Sequence, residues 1–243
     1  MMKKTAMLLL IPAMILSSCG SGGSGKRNSE EKDKLMESSY NVKLLTVDPG
    51  HFHAALVQKT MYPQVSPDVM VYAPEGPDLE QHLGRIASYN SRTDNPTNWN
   101  EIVYRGPDFF EKMLSEKAGN VVVLSGNNRK KASYISSSIE AGLNVLADKP
   151  MIIRPEDWPG LEADFGKAAE KGVLLYDIMT ERFEITTILQ KLLSQKPEVF
   201  GTLVPGTAGD PAVSKVSVHH FSKLVSGTPL QRPAWFFDVE QQG

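Results

Sequence analysis

Lys149 stands in the run Asp148-Lys149-Pro150, where a strand-forming segment is stopped by proline. An ammonium group there could pass a proton or polarise a carbonyl oxygen. Two imidazoles, His51 and His53, lie two residues apart in Asp48-Pro49-Gly50-His51-Phe52-His53 and could donate hydrogen bonds to phosphate or substrate oxygens. The same pair could chelate a metal, but zinc needs at least one further ligand. His219 and His220 are remote in sequence and no HExxH pattern exists, so metal is set aside. Glu75 lies in a Pro-Glu-Gly-Pro turn, Ser125, Asn127 and Asn128 follow an apolar run, and Arg182 follows a further strand-like run. Trp235, Phe236 and Phe237 offer a stacking surface, with core packing the commoner role.

These groups can cooperate only if strands deliver them to one edge. Val121 to Leu124 has the length and β-branching of a buried parallel strand. Ser125-Gly126-Asn127-Asn128 interrupts it with turn and capping chemistry. Ala132, Ile135, Ile139 and Leu143 then recur at helical spacing with Gly142 near the end, and Asn144 to Ala147 forms a second strand that delivers Asp148-Lys149-Pro150. In open α/β sheets ligands sit at the carboxyl ends of strands, which is where this βαβ unit puts Lys149.

Upstream, strands are expected over 41–47, 69–73 and 102–104. Helices are expected over 54–61, 79–86 and 108–116, the last capped by Asp108, and 88–100 reads as an exposed insertion. Downstream come a helix over 156–171, a strand over 173–177 and a helix over 184–195. This alternation predicts an α/β fold with an N-terminal Rossmann-like, doubly wound parallel sheet. Residues 199–205 and 214–221 alternate apolar and polar side chains, as half-buried strands do, and mark the start of an α+β domain with a mostly antiparallel sheet.

A doubly wound sheet of this kind can hold a dinucleotide on its first strand–helix turn, which then reads G-x-G-x-x-G. The equivalent positions here are Asp48, Gly50 and His53, so only the middle glycine survives, and Asp48 would repel a phosphate unless it capped the helix. Glu75, just beyond the second strand, suits an acid that hydrogen-bonds ribose hydroxyls and repels a 2′-phosphate, which favours NAD over NADP.

The strand–turn–helix–strand ending in Asp148-Lys149-Pro150 resembles the nicotinamide-dependent oxidoreductases of the Gfo/Idh/MocA family, whose usual motif here is Glu-Lys-Pro. The resemblance implies that Lys149 lies beside the nicotinamide and the reacting hydroxyl, with Asp148 and Pro150 around the cofactor. It places Gly50, His51, Phe52 and His53 on the dinucleotide turn. Ser125 and Asn127 or Asn128 match a loop, often Thr-Pro-Asn, that packs along the dinucleotide. Arg182 matches a frequent Arg-Phe pair, and His219 and His220 fall on the strand that floors a sugar site. The implied activity is hydride transfer from or to a sugar or polyol carbon. A redox-neutral, NAD-dependent glycoside-cleaving enzyme and a non-catalytic carbohydrate-binding lipoprotein are the rivals. The family's second domain is usually longer than residues 181–243, which reads as an incomplete substrate or oligomerisation domain; the full-length form is open to homo-oligomerisation.

Composition sets the remaining bounds. A net charge of −2 gives no general argument for nucleic acid, and 41% hydrophobic residues suffice for one large core or two modest domains. Lys3-Lys4 and the apolar run Ala6 to Leu16 make a signal peptide over 1–18, too short to span a bilayer comfortably. The only cysteine, Cys19, follows Leu16-Ser17-Ser18, which resembles a bacterial lipobox and implies lipid attachment at Cys19. Acyl chains would hold the exported protein to a membrane, facing the periplasm or cell surface. Residues 19–40 read as a flexible tether and 41–180 as the dinucleotide-binding domain.

Overall fold

Six short strands, β1 (Leu44–Val47), β2 (Asp68–Ala73), β3 (Asn100–Arg105), β4 (Val121–Leu124), β5 (Asn144–Ala147) and β6 (Leu175–Asp177), pair in parallel in the order β3-β2-β1-β4-β5-β6. This is the strand order of a doubly wound dinucleotide-binding sheet, with its switch point between β1 and β4. The computed structural model describes residues 40–179, 183–214, 224–225 and 228–243. Tyr40–Gly243 form one compact unit.

Helices α1 (His53–Leu56), α2 (Pro77–Ser91), α3 (Phe109–Glu116), α4 (Lys131–Glu140) and α5 (Trp158–Lys171) connect successive strands. Alternate side chains of each strand serve opposite faces. Leu45, Val47, Val122 and Leu124 join Phe110, Met113, Ile135 and Ile139 in one core layer. Leu44, Val69, Val71 and Val123 join Ala55, Leu79, Ile86 and Trp99 in the other. Ile135, Ile139 and Leu143 are buried, as the helical spacing predicts.

Register fixes the functional edge. Val47 pairs with Leu124, and Leu124 with Ala147, so β1, β4 and β5 end level. The next residues, Asp48, Ser125 and Asp148, therefore emerge side by side. Gly126 is required at this edge. A Cβ on it would lie 1.8 Å from the Asp48 carbonyl oxygen and 3.2 Å from the Gly50 nitrogen.

Several local expectations are corrected. Residues 88–100 are not an exposed insertion: α2 runs on to Ser91, and Thr97 and Trp99 are buried. Asn90 holds that loop by accepting from Thr97 Oγ1 at 2.7 Å, and Trp99 Nε1 donates to the Gln58 carbonyl at 2.6 Å. Asp108 makes no cap bond and instead accepts from the Tyr104 hydroxyl at 2.6 Å. The strand expected over 199–205 is replaced by a short helix α7 (Pro197–Phe200) and irregular chain, because Pro197 opens a helical turn that Gly201 ends at φ 74°. Most of 214–221 and the boundary at 180 lie outside the described residues. Antiparallel pairing among the described residues is confined to β7 (Leu224–Val225) with β8 (Thr228–Pro229). Helix α6 (Ile185–Ser194) leaves Ile185, Leu189, Leu192 and Leu193 exposed. No helix of the described residues is long and apolar enough to cross a membrane.

Two glycines make a paired test. Gly126→Ala should lower stability by about 3 kcal/mol or more, because the overlap is with backbone that has no room to yield. Gly84→Ala, inside α2 with nothing within 4 Å, should raise stability by about 0.5–1 kcal/mol. Urea unfolding midpoints of the two variants check both signs.

Candidate functional site

The carboxyl edge of β1, β4 and β5 gathers a cluster centred on Asp148. His51 Nδ1 lies 2.7 Å from its Oδ2, and His53 Nδ1 lies 2.8 Å from its Oδ1. Ser125 Oγ donates to Oδ2 at 3.1 Å, and the Lys149 backbone N–H donates to Oδ1 at 2.8 Å. Burial opposes the charge on Asp148. The hydrogen bonds from His51 and His53, and the attraction of the two rings, more than offset it and hold the carboxyl far below the ordinary carboxylate range. Burial pushes His51 down, and its bond to Asp148 recovers part of that.

Backbone geometry sets up the cluster. Asp48 sits at φ 45°, and the His51 N–H donates to the Ser125 carbonyl at 2.9 Å, which ties the first turn to the end of β4. Helix α1 has one turn and no side-chain cap, so Asp48 does not cap it. Instead, burial and the nearby Asp78 raise the Asp48 carboxyl to about 6, with Lys130 opposing. Asn127 accepts from the Arg129 N–H at 3.0 Å and caps the short 3₁₀ turn Asn128–Lys130, the capping role its loop predicts.

Lys131 is the residue that sequence reasoning missed. It is 2% exposed. Its Nζ donates to the carbonyls of Asp148 at 3.0 Å and Pro150 at 3.1 Å, and to Asn128 Oδ1. It thus clasps the backbone on both sides of Lys149, across a cis Lys149–Pro150 peptide. Burial lowers its pKa to about 8, with Asp148 opposing. The signal was available: Lys131 is four residues before Ile135 and eight before Ile139, on the core face of α4.

The chain's last described turn closes over this edge. Trp235 and Phe236 lie in a 3₁₀ turn (Ala234–Phe237), followed by α8 (Val239–Gln242). Trp235 Nε1 donates to Asp78 Oδ2 at 2.7 Å. A Cβ on Gly50 would lie 2.8 Å from Trp235 Cζ2. Asn127 donates to Gln241 Oε1 at 2.7 Å, and Asn128 to the Gln242 carbonyl at 2.8 Å. Phe236 is buried and stacks on His51 at 5.9 Å, so of the three aromatics it takes the packing role. A cleft of about 540 Å³ opens beside His53, walled by Val57, Tyr62, Leu146, Tyr176 and Phe183.

Of the residues singled out in the sequence, Gly50, His51, Phe52, His53, Ser125, Asn127, Asn128, Asp148, Lys149 and Pro150 all meet at this edge. Glu75 is exposed beyond β2; Asp78, one turn later, is the acid that reaches the space above Gly50. Arg182, His219, His220 and Cys19 lie outside the described residues.

Comparison with known proteins now bears on this geometry. Residues 189–243 match the family model described as "Putative oxidoreductase C terminal domain". A crystal structure of a "putative oxidoreductase" from Parabacteroides merdae ATCC 43184 is similar at 58% identity and TM-score 0.75, over 83% of this chain and 46% of that one. These matches agree with the resemblance to Gfo/Idh/MocA-type oxidoreductases read from the sequence. It spans slightly under half the length of that relative. Two more distant members of the comparison are a "putative oxidoreductase" from Thermotoga maritima and GenD2 from gentamicin A biosynthesis, solved with NAD. The first has 12% identity and TM-score 0.48, over 65% of this chain and 45% of that one. The second has 17% identity and TM-score 0.47, over 67% and 41%. None of the curated proteins matches.

Asp48 yields a pH test. A carboxyl whose folded pKa lies above its unfolded value destabilises the fold once it must ionise. Stability attributable to Asp48 therefore falls as pH rises from 3.8 to about 6 and stays lost above. Asp48→Asn tolerates the positive φ and should raise stability at pH 7.5 by up to about 3 kcal/mol, with little change at pH 4. Urea titrations of both proteins at the two pH values would show the difference.

Proposed function

We propose that the chain forms the cofactor-binding part of an exported, lipid-anchored oxidoreductase that uses NAD to move a hydride from or to a sugar or polyol carbon. One observation carries this reading: a sheet in dinucleotide-binding order delivers Gly50, Ser125 and Lys149 to one crevice at its switch point. The 58% identity to an oxidoreductase supports it. The acids at Glu75 and Asp78 suit ribose hydroxyls and oppose a 2′-phosphate, which favours NAD over NADP. The lipobox resemblance ending at Cys19 supports the anchor, and the family resemblance supports a sugar substrate.

The crevice fits a dinucleotide in strand order and in the bare Cα of Gly50, which permits close backbone approach. It departs at one point, where the Trp235 indole lies over Gly50. The nicotinamide cofactor, when bound, would supply the ring that accepts or gives the hydride. The chain's own residues do the rest: Gly50 and the loop 125–128 line the crevice, Lys131 fixes the backbone around Lys149, and Lys149 Nζ holds or passes the proton of the reacting hydroxyl. The one-turn α1 and the Trp235 cover favour the rival, a carbohydrate-binding protein without catalysis.

The purified full chain, denatured, should release NAD, or should bind it when it is added. Trp235→Ala should tighten NAD binding by about 10-fold, because the dinucleotide no longer has to displace the indole. Isothermal titration of both proteins measures this. If neither binds NAD or NADP, the oxidoreductase reading fails and the binding-protein rival stands.

A further inference from the structure

We infer that His51, His53 and Asp148 form a binding site for a divalent transition-metal ion. This does not rest on the dinucleotide reading. Sequence reasoning set a metal aside because two histidines lacked a third ligand; the fold brings that ligand from 95 residues away. One ligand atom from each of the three side chains lies within 4.8 Å of the others.

Three features make this a built site. First, both imidazoles turn the same ring nitrogen, Nδ1, toward one carboxylate. Two ring nitrogens and one oxygen are a donor set for Zn²⁺ and its neighbours, not for Ca²⁺ or Mg²⁺. Second, the three side chains are shielded, at 9%, 16% and 3% exposure for His51, His53 and Asp148, and stand on a turn and a strand end pinned by register. Third, the carboxylate is oriented from behind by Ser125 Oγ and the Lys149 N–H, the kind of outer support that holds metal ligands in place. Gly126, Asn128, Lys149, Trp235 and Gln242 close around His51 and Asp148.

Accommodation requires the His51 and His53 rings, which meet opposite oxygens of Asp148, to turn toward one ion. Ligands about 2.0 Å from a tetrahedral ion stand about 3.3 Å apart, so the contacts of 2.7 and 2.8 Å must open by about half an ångström. Each neutral imidazole can present an Nδ1 lone pair by moving its proton to Nε2, with no net proton lost.

The test uses the full chain with Cys19→Ser, which removes its one thiol, stripped with chelator and titrated with Zn²⁺ by calorimetry and with Co²⁺ by absorption. One ion per chain is expected. The His51→Ala/His53→Ala double variant should bind about 100-fold more weakly or worse, and Asp148→Asn about 10-fold more weakly. Zn²⁺ affinity that is absent from the parent, or unchanged in the variants, overturns the site. Should the variants fail to fold, X-ray absorption of the Zn²⁺-loaded parent decides: two imidazole ligands support the site, and a spectrum without them overturns it.

Discussion

The structure depends on the common register of β1, β4 and β5. Their last residues, Val47, Leu124 and Ala147, share one level, so the following residues leave the sheet together. A slip of one residue would turn Leu45 and Val47 out of one core layer and put Leu44 in their place, because strand side chains alternate with period two. Two buried faces thus forbid the slip, and the same constraint that packs the core sets the spacing of Asp48, Ser125 and Asp148. Gly126 is part of this arrangement. The chain leaving β4 crosses the Asp48 carbonyl so closely that no side chain can be tolerated.

Charge at this edge is buried on both sides of Lys149, and each buried charge is solved differently. Asp148 is surrounded by four donors, two of them imidazoles, so its charge is met mostly by side chains. Lys131 is met largely by backbone carbonyls, those of Asp148 and Pro150, together with the Asn128 side-chain oxygen. An unpaired buried cation costs several kcal/mol, so the folded state holds Lys131 only if the turn at 148–150 keeps both carbonyls in place. Lys131 is therefore a fastener for that turn, and Lys149 is presented from a backbone that cannot relax.

Much of this was legible from pattern alone. A β-branched run gave β4, helical spacing gave α4, and the short segment stopped by proline after Asp148-Lys149 gave β5. What escaped was long-range. No local signal tells that His51 and His53 turn onto Asp148, since their partner is 97 and 95 residues away. The buried loop at 97–99 looked polar because Asn90 and Gln58 satisfy it internally through Thr97 and Trp99. Period-two alternation at 199–205 misled because a proline-started turn and Gly201 won locally.

The segment 234–243 shows how the crevice can be both covered and available. Its hold consists of a few hydrogen bonds, from Trp235 to Asp78 and from Asn127, Asn128 and Arg129, each contributing about 1 kcal/mol net. Burial of Phe236 and part of Trp235 adds about 2 kcal/mol apiece. These contacts are few, and ordering the segment's backbone opposes them, so the cover is held weakly. A ligand with a few kcal/mol more affinity for the open crevice would displace Trp235 from Gly50, while the register-fixed floor beneath stays where the core packing holds it.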